Sequence, residues 1–144
     1  MVDEKDLQII DALRRNARAP FTEIAKRLGI SEAAVRNRVK ALEKESVIRK
    51  FTVLLDPSKL GYQTVALVGA DVDPDRLLEA AKSLAEITSI KNMALTTGDH
   101  MVMMEIWAKN GKELTDILTK QVGEIPGIKR VCPAIVLERI KEET

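Results

Sequence analysis

The fold of the N-terminal part of the chain is decided by residues 21–44, FTEIAKRLGISEAAVRNRVKALEK. Behind Pro20, the first part of this stretch places apolar side chains at helical spacing, and Gly29 then provides a C-terminal stop. Ser31 can begin a second helix by accepting hydrogen bonds from its free backbone N–H groups. Because only Gly29 and Ile30 separate the two helices, they must cross steeply, which predicts a helix-turn-helix.

The second helix of this motif has two different faces. Val35, Val39 and Leu42 form an apolar stripe, and the opposite face carries small, amide and basic side chains. Such a helix suits the DNA major groove, where Arg pairs with guanine, Asn pairs with adenine, and Lys or Ser holds phosphates. The alternative is that the basic face is only solvated. We expect DNA contacts from Thr22, Ser31, Glu32, Ala33, Arg36, Asn37, Arg38, Lys40 and Lys44.

Another helix is predicted before the motif. The acidic residues Asp3, Glu4 and Asp6 favour a helix N-terminus through its positive dipole end. The apolar stripe of this helix is predicted to consist of Leu7, Ile10, Leu13 and Ala17. Residues 1–50 are therefore expected to form a three-helix DNA-binding domain.

Composition and charge agree with a protein of two small domains. The chain has 144 residues, of which 45% are hydrophobic and 31% charged, which is typical of a soluble globular protein. Residues 1–50 carry 12 basic against 8 acidic side chains, whereas residues 51–144 carry 11 against 14. The charges of +4 and −3 suggest that the first part meets phosphate and the second has a different role.

Several classes of protein are disfavoured by what the sequence lacks. No apolar run is long enough for a membrane span, and the start Met1–Glu4 has no basic signal-peptide region, so we expect a cytoplasmic protein. With one cysteine, Cys132, and one histidine, His100, the chain cannot form an internal disulfide or a zinc site. There is no P-loop or dinucleotide-binding turn. We therefore expect no enzymatic activity, catalytic residue, metal or cofactor, and a packing role for Cys132.

The remainder predicts a linker and a second domain of class α+β. Residues 51–61 form the linker, with a strand at Phe51–Leu55, and residues 62–144 form the domain. Its strands are predicted at Thr64–Val72, Ile90–Thr97, Met101–Ala108 and Ile128–Ile140, with a helix from Pro74 to Ala85 and another over Leu114–Val122. Residues 84–91 resemble residues 122–129, at an offset of 38. This βαββαβ order predicts a ferredoxin-like domain with both helices on one face of the sheet.

The uncovered face of that sheet is expected to bind a second copy of the chain. Val65–Val68 and Ala134–Leu137 are apolar on both sides, although an isolated sheet would leave one side in water. A symmetric dimer would cover this face and present two helix-turn-helix units to half-sites about 34 Å apart. We therefore expect a roughly palindromic operator.

Short motifs along nearly the whole chain resemble those of the Lrp/AsnC (feast/famine) regulators. These motifs are DLQII (6–10), TEIAKRLGI (22–30), RVKALE (38–43), VI (47–48), LG (60–61) and TGD (97–99). GDHM (98–101) and VCPAI (131–135) are most similar to the archaeal Lrp-like repressors. The resemblance implies a helix-turn-helix domain, a RAM (amino-acid-metabolism regulatory) domain, dimers that assemble into octamers, and control of the protein's own promoter.

The resemblance also implies a free amino acid as effector, bound between RAM domains near the hairpin. The corresponding residues here are Thr97, Gly98, Asp99, His100 and Met101. Many members with amino-acid effectors have a second acidic residue where this chain has Met101, so one counter-charge for an ammonium group is missing. The alternative for Gly98-Asp99 is a purely structural turn, and for His100 a surface or capping role. The alternative for the whole protein is an architectural DNA-binding protein without an effector.

Overall fold

The computed structural model describes residues 1–143, and the last residue of the predicted second domain, Thr144, lies outside them. The chain forms two compact units, one made of residues 1–54 with the residues from Lys141 onward, the other of Leu55–Ile140. No helix in this described part of the chain has the length and apolar character to cross a bilayer.

Three helices form the N-terminal unit, and each begins and ends where local chemistry favours it. They are α1 (Glu4–Arg15), α2 (Phe21–Leu28) and α3 (Glu32–Lys44). Gly29 ends α2 in the left-handed conformation, with φ 68°, which glycine adopts at little cost. The Ser31 hydroxyl oxygen accepts from the Ala34 amide at 3.1 Å and so caps α3. The predicted helix-turn-helix is confirmed.

The core of this unit lies between the three helices, and the predicted stripe of α1 was partly wrong. Leu7 is 53% exposed and Ala17 lies beyond the end of the helix, whereas Ile9 and Leu13 are buried. The inward position next to Ile9 is taken by Asp6, which the sequence indicated only as an acidic residue at the helix N-terminus. The buried core consists of Ile9, Leu13, Ile24, Ala25, Val35 and Val39.

The C-terminal unit is an antiparallel sheet of four strands with helices on one face. The strands are β1 (Thr64–Val72), β2 (Ile90–Leu95), β3 (Val102–Ala108) and β4 (Ile128–Ile135), and their spatial order is β2-β3-β1-β4. The helices are α4 (Leu77–Ala85), which follows a 3-10 turn at Pro74–Arg76, and α5 (Gly111–Asp116), which continues as a π-helical segment over Ile117–Val122. This order confirms the predicted ferredoxin-like fold.

Strand alternation divides the sheet into a covered face and an open face. Ala66, Val68 and Ala70 of β1 are buried together with Leu84 of α4 and with Ile117, the first residue after α5. The intervening residues of β1 and β3 point to the other side. The open face includes Val65, Leu67, Gly69 and Asp71 of β1, and Met103, Glu105 and Trp107 of β3.

Two predicted strands need correction. Residues 51–55 lie in no strand of the described chain, because an extended segment forms a ladder only when another strand pairs with it. The last strand ends at Ile135 and not at Ile140. Val136 still donates to the Val65 carbonyl at 2.8 Å, but β1 begins at Thr64, so the ladder between β1 and β4 cannot continue much further. The hairpin strands β2 and β3 are also slightly shorter than predicted.

Candidate DNA-binding and effector sites

The outer face of α3 presents polar and basic side chains to solvent. Val35, Val39 and Leu42 hold the opposite face in the core, as the sequence predicts. Thr22, at the start of α2, is also exposed. The exposed positions at the beginning and along the outer face of α3 are Ser31, Glu32, Ala33, Arg36, Asn37, Lys40 and Lys44.

Arg36 is held in place by its neighbours on the surface. Its Nη2 lies 2.6 Å from Glu32 Oε1, one helical turn earlier. Its guanidinium carbon also lies 5.8 Å from the centre of the Phe21 ring, within the range of a cation–π contact. Since a guanidinium has five N–H donors, these two contacts leave donors for another acceptor.

Further along α3, Lys40 and Lys44 are both exposed. Within residues 1–143, neither Lys40 nor Lys44 forms an ion pair, and Asn37 beside them is exposed. An amide and two ammonium groups on one helix face can donate to base edges and phosphate oxygens. This face of α3 therefore has the chemistry of a surface that binds nucleic acid.

Arg38 has a different environment from the other predicted DNA contacts. Its Nη1 lies 2.7 Å from Asp3 Oδ2 and 3.1 Å from Asp6 Oδ1, so it joins α3 to the beginning of α1. The hydrogen bond from Arg38 and the backbone bond from Asp6 lower the pKa of the Asp3 carboxyl below its usual value. The sequence predicted Arg38 among the DNA contacts and gave no sign of this pairing.

The predicted effector turn closes the hairpin between β2 and β3. Thr96 donates its amide to the Met101 carbonyl at 2.9 Å and its hydroxyl to the His100 carbonyl at 2.7 Å. Gly98 has φ 106°, in the region that favours glycine, and Thr97, Gly98 and Asp99 are exposed. The turn is therefore well defined and open to solvent.

His100 is partly buried and paired with an acidic side chain. Its side chain is only 25% exposed, and its Nδ1 lies 2.9 Å from Asp71 Oδ1 on β1. The ring rests on Gly69, where a Cβ would come within 2.6 Å of its Cγ. Sequence reasoning missed both Asp71 and Gly69, although a glycine inside a strand is a signal of close approach.

The turn is joined to β1 by a backbone bond, and β1 is paired here with β4. The Met101 amide donates to the Ala70 carbonyl at 3.2 Å, which ties the end of the turn to β1. Cys132 of β4 pairs in register with Gly69 and is half-buried as a free thiol. In the described part of the chain no group of three His, Cys, Asp or Glu side chains could hold a metal ion.

The open face of the sheet carries apolar side chains in solvent. Leu67 is 44% exposed and Met103 is 38% exposed, on neighbouring strands. Beside them, Trp107 donates its indole N–H to Glu105 at 2.8 Å, and the Lys91 ammonium lies 5.5 Å from its ring centre. An apolar surface with an aromatic residue at its border is typical of a protein interface.

Both units match known families over most of their length. Residues 2–43 match the AsnC-type helix-turn-helix domain, and residues 65–144 match the Lrp/AsnC ligand binding domain. The chain is 52% identical over 141 residues to the HTH-type transcriptional regulator LrpA of Pyrococcus abyssi, covering 98% of this chain and 100% of that protein. LrpA of Pyrococcus horikoshii is 49% identical with the same coverage.

Solved structures of other regulators share the fold at lower identity. AsnC of E. coli aligns with a TM-score of 0.91 at 23% identity, covering 100% of this chain and 97% of that one. A transcriptional regulator from Neisseria meningitidis, solved in complex with L-Met, aligns with a TM-score of 0.90 at 19% identity, covering 99% and 94%. The two family matches and the close relatives together show that the chain belongs to the Lrp/AsnC family of transcriptional regulators.

Proposed function

We propose that the protein binds a specific DNA operator through the outer face of α3. The observation that carries this proposal is the combination of Asn37, Lys40 and Lys44 on one exposed face of a helix whose other face is fixed in the core. Asn37 is suited to a bidentate contact with adenine, and the two lysines to phosphates. Ser31, Glu32, Ala33 and Arg36 lie at the leading end of the helix, and Thr22 lies on the preceding helix.

The proposed working unit is at least a dimer. Leu67 and Met103 on the open sheet face give a second copy of the chain an apolar surface to cover. A two-fold dimer would place two copies of α3 on one side of the duplex, at half-sites about 34 Å apart. The operator should then be roughly palindromic. Assembly of such dimers into octamers, and control of the protein's own promoter, are the arrangements that the family resemblance suggests.

The turn at 97–100 is the proposed site of an amino-acid effector. The exposed backbone of Thr97, Gly98 and Asp99 offers groups for the charged ends of an amino acid. Position 101 lacks a carboxylate, but Asp71, held by His100, brings one to the same region from β1. Asp71 is therefore the counter-charge that we propose for the ammonium group of the effector. The L-Met complex of the related fold supports this class of ligand.

A binding titration tests the proposal. The full-length protein is titrated at several salt concentrations against the DNA upstream of its own gene and against a scrambled duplex, with and without each amino acid. We expect the upstream DNA to be preferred by at least about 10³ at fixed salt, and one amino acid to change that preference. A preference that no amino acid changes would remove the effector role. Equal binding to both duplexes would favour an architectural DNA-binding protein and contradict the proposal.

A further inference from the structure

One arginine of α3 is bound to the beginning of α1, with its side chain 31% exposed. Nη1 of Arg38 reaches both carboxylate oxygens of Asp3, at 2.8 and 2.7 Å, and Asp6 Oδ1 at 3.1 Å. These acids lie 35 and 32 residues earlier in the chain, at the start of α1. We call these three residues the Arg38 clamp.

The acidic side of the clamp is itself fixed by backbone bonds. Asp3 accepts from the Asp6 amide at 2.9 Å, and Asp6 accepts from the Asp3 amide at 3.1 Å, so the two acids form a reciprocal capping box. Neither carboxylate can turn away without opening the first turn of α1. The two carboxylates to which Arg38 donates are therefore held in place by the first turn of α1.

Burial makes the clamp difficult to open. Asp6 is the one charged residue among those described that is buried, with 8% exposure. A buried carboxylate that loses its cationic partner is strongly destabilised. If Arg38 left the clamp to reach a DNA phosphate, Asp6 would keep only its bond from the Asp3 amide. This cost opposes a direct DNA contact by Arg38.

The position of Arg38 along α3 gives the clamp a consequence for DNA recognition. Arg38 lies between Asn37 on the exposed face and Val39 in the core. A fixed side chain at this position sets the rotation of α3 about its own axis. We propose that Arg38, anchored by Asp3 and Asp6, is a positioning residue that orients Asn37 toward DNA without touching DNA itself.

The test compares operator and scrambled DNA binding of the full-length dimer for Arg38→Ala, Asp6→Asn and the double variant. All are measured well below their unfolding temperatures, where a residue with only a structural role would leave binding unchanged. We expect each single variant to lose operator affinity on the order of tenfold, with little further loss in the double variant. Affinity for scrambled DNA and the slope of binding against salt should stay close to those of the parent protein.

Two control variants separate positioning from charge effects. Glu4→Gln removes an exposed acid from the same turn of α1 without touching Arg38, so it should leave the preference for the operator unchanged. Lys40→Ala removes a proposed phosphate contact and should lower the salt slope by about 0.9. Asp6→Asn keeps the size of the side chain. It therefore shows whether breaking the clamp lowers operator affinity even if Arg38→Ala does not fold.

Two results would overturn the inference. If Arg38 contacts a phosphate, Asp6→Asn should leave operator affinity unchanged or raise it by releasing the arginine, while Arg38→Ala lowers the salt slope as Lys40→Ala does. If both single variants bind operator and scrambled DNA like the parent protein, the clamp has no part in recognition. Because the parent protein is measured on both duplexes, equal binding of the parent to operator and scrambled DNA would be seen separately as failure of the proposed function.

Discussion

The imidazole of His100 lies against the backbone of Gly69, so closely that a Cβ at this position would come within 2.6 Å of the ring. Gly69→Ala should therefore displace the ring and break its contact with Asp71, at a cost of about 1–3 kcal/mol in the free energy of unfolding. Chemical denaturation measures this loss. In a His100→Ala background the same substitution should cost little, because the ring is gone. Equal costs in both backgrounds would show that the close approach is unimportant.

Leu67 offers a test of the open sheet face. Leu67→Lys places a charge in the proposed dimer interface and should convert dimers into monomers at micromolar concentration, as measured by sedimentation velocity. The matched control is Leu78→Lys on α4, which is 70% exposed on the other side of the unit and should leave assembly unchanged. If the Leu67 variant sediments like the parent protein, the dimer must use a different surface.

The Asp3 carboxyl predicts a dependence of stability on pH. Its pKa in the folded chain is lowered by the hydrogen bond from Arg38, so the stabilisation is fully present above the ordinary carboxyl pKa and is lost as pH falls through the lowered one. Asp3→Asn keeps a good helix cap but removes the charge. The difference in Tm between parent and variant should therefore be constant near neutral pH and shrink below about pH 4. A difference independent of pH would exclude the ion pair as its cause.

Lys44 is expected to contribute equally to the affinity for operator and for scrambled DNA. It is exposed at the end of α3 and has no ion pair among the residues that the structure describes, so its proposed partner is a phosphate. Lys44→Ala should weaken operator and scrambled DNA by the same factor and lower the salt slope by about 0.9. A loss confined to the operator would instead assign Lys44 to a base.

The parts of the fold that could be predicted depend on local signals. Gly29 and Ser31 mark the turn of the DNA-binding motif within a few residues, and the apolar, Val- and Ala-rich run Thr64–Val72 marks β1 with its correct ends. Asp6 could not be assigned to the interior, because its burial depends on Arg38, which is 32 residues away. The end of β4 likewise depends on where β1 begins.

The candidate sites show the same division. The exposed face of α3 follows from helical spacing, and the structure places Asn37, Lys40 and Lys44 together on it. The contact between His100 and Asp71 joins a turn to a strand 29 residues earlier, so no local pattern could reveal it. Helical or strand spacing shows which side chains share a face of one element. It cannot show pairs of side chains that meet only where two elements pack together.

Asn37 is proposed to read a base, and a cycle between Asn37→Ala and base-pair changes across the operator measures this most directly. Binding of the parent protein should fall by about 1–3 kcal/mol when one particular A·T pair is changed, whereas the variant should be insensitive to that change and respond normally to all others. If Asn37→Ala lowers binding to every operator variant and to scrambled DNA by the same factor, Asn37 does not read sequence, and the proposed use of α3 is contradicted.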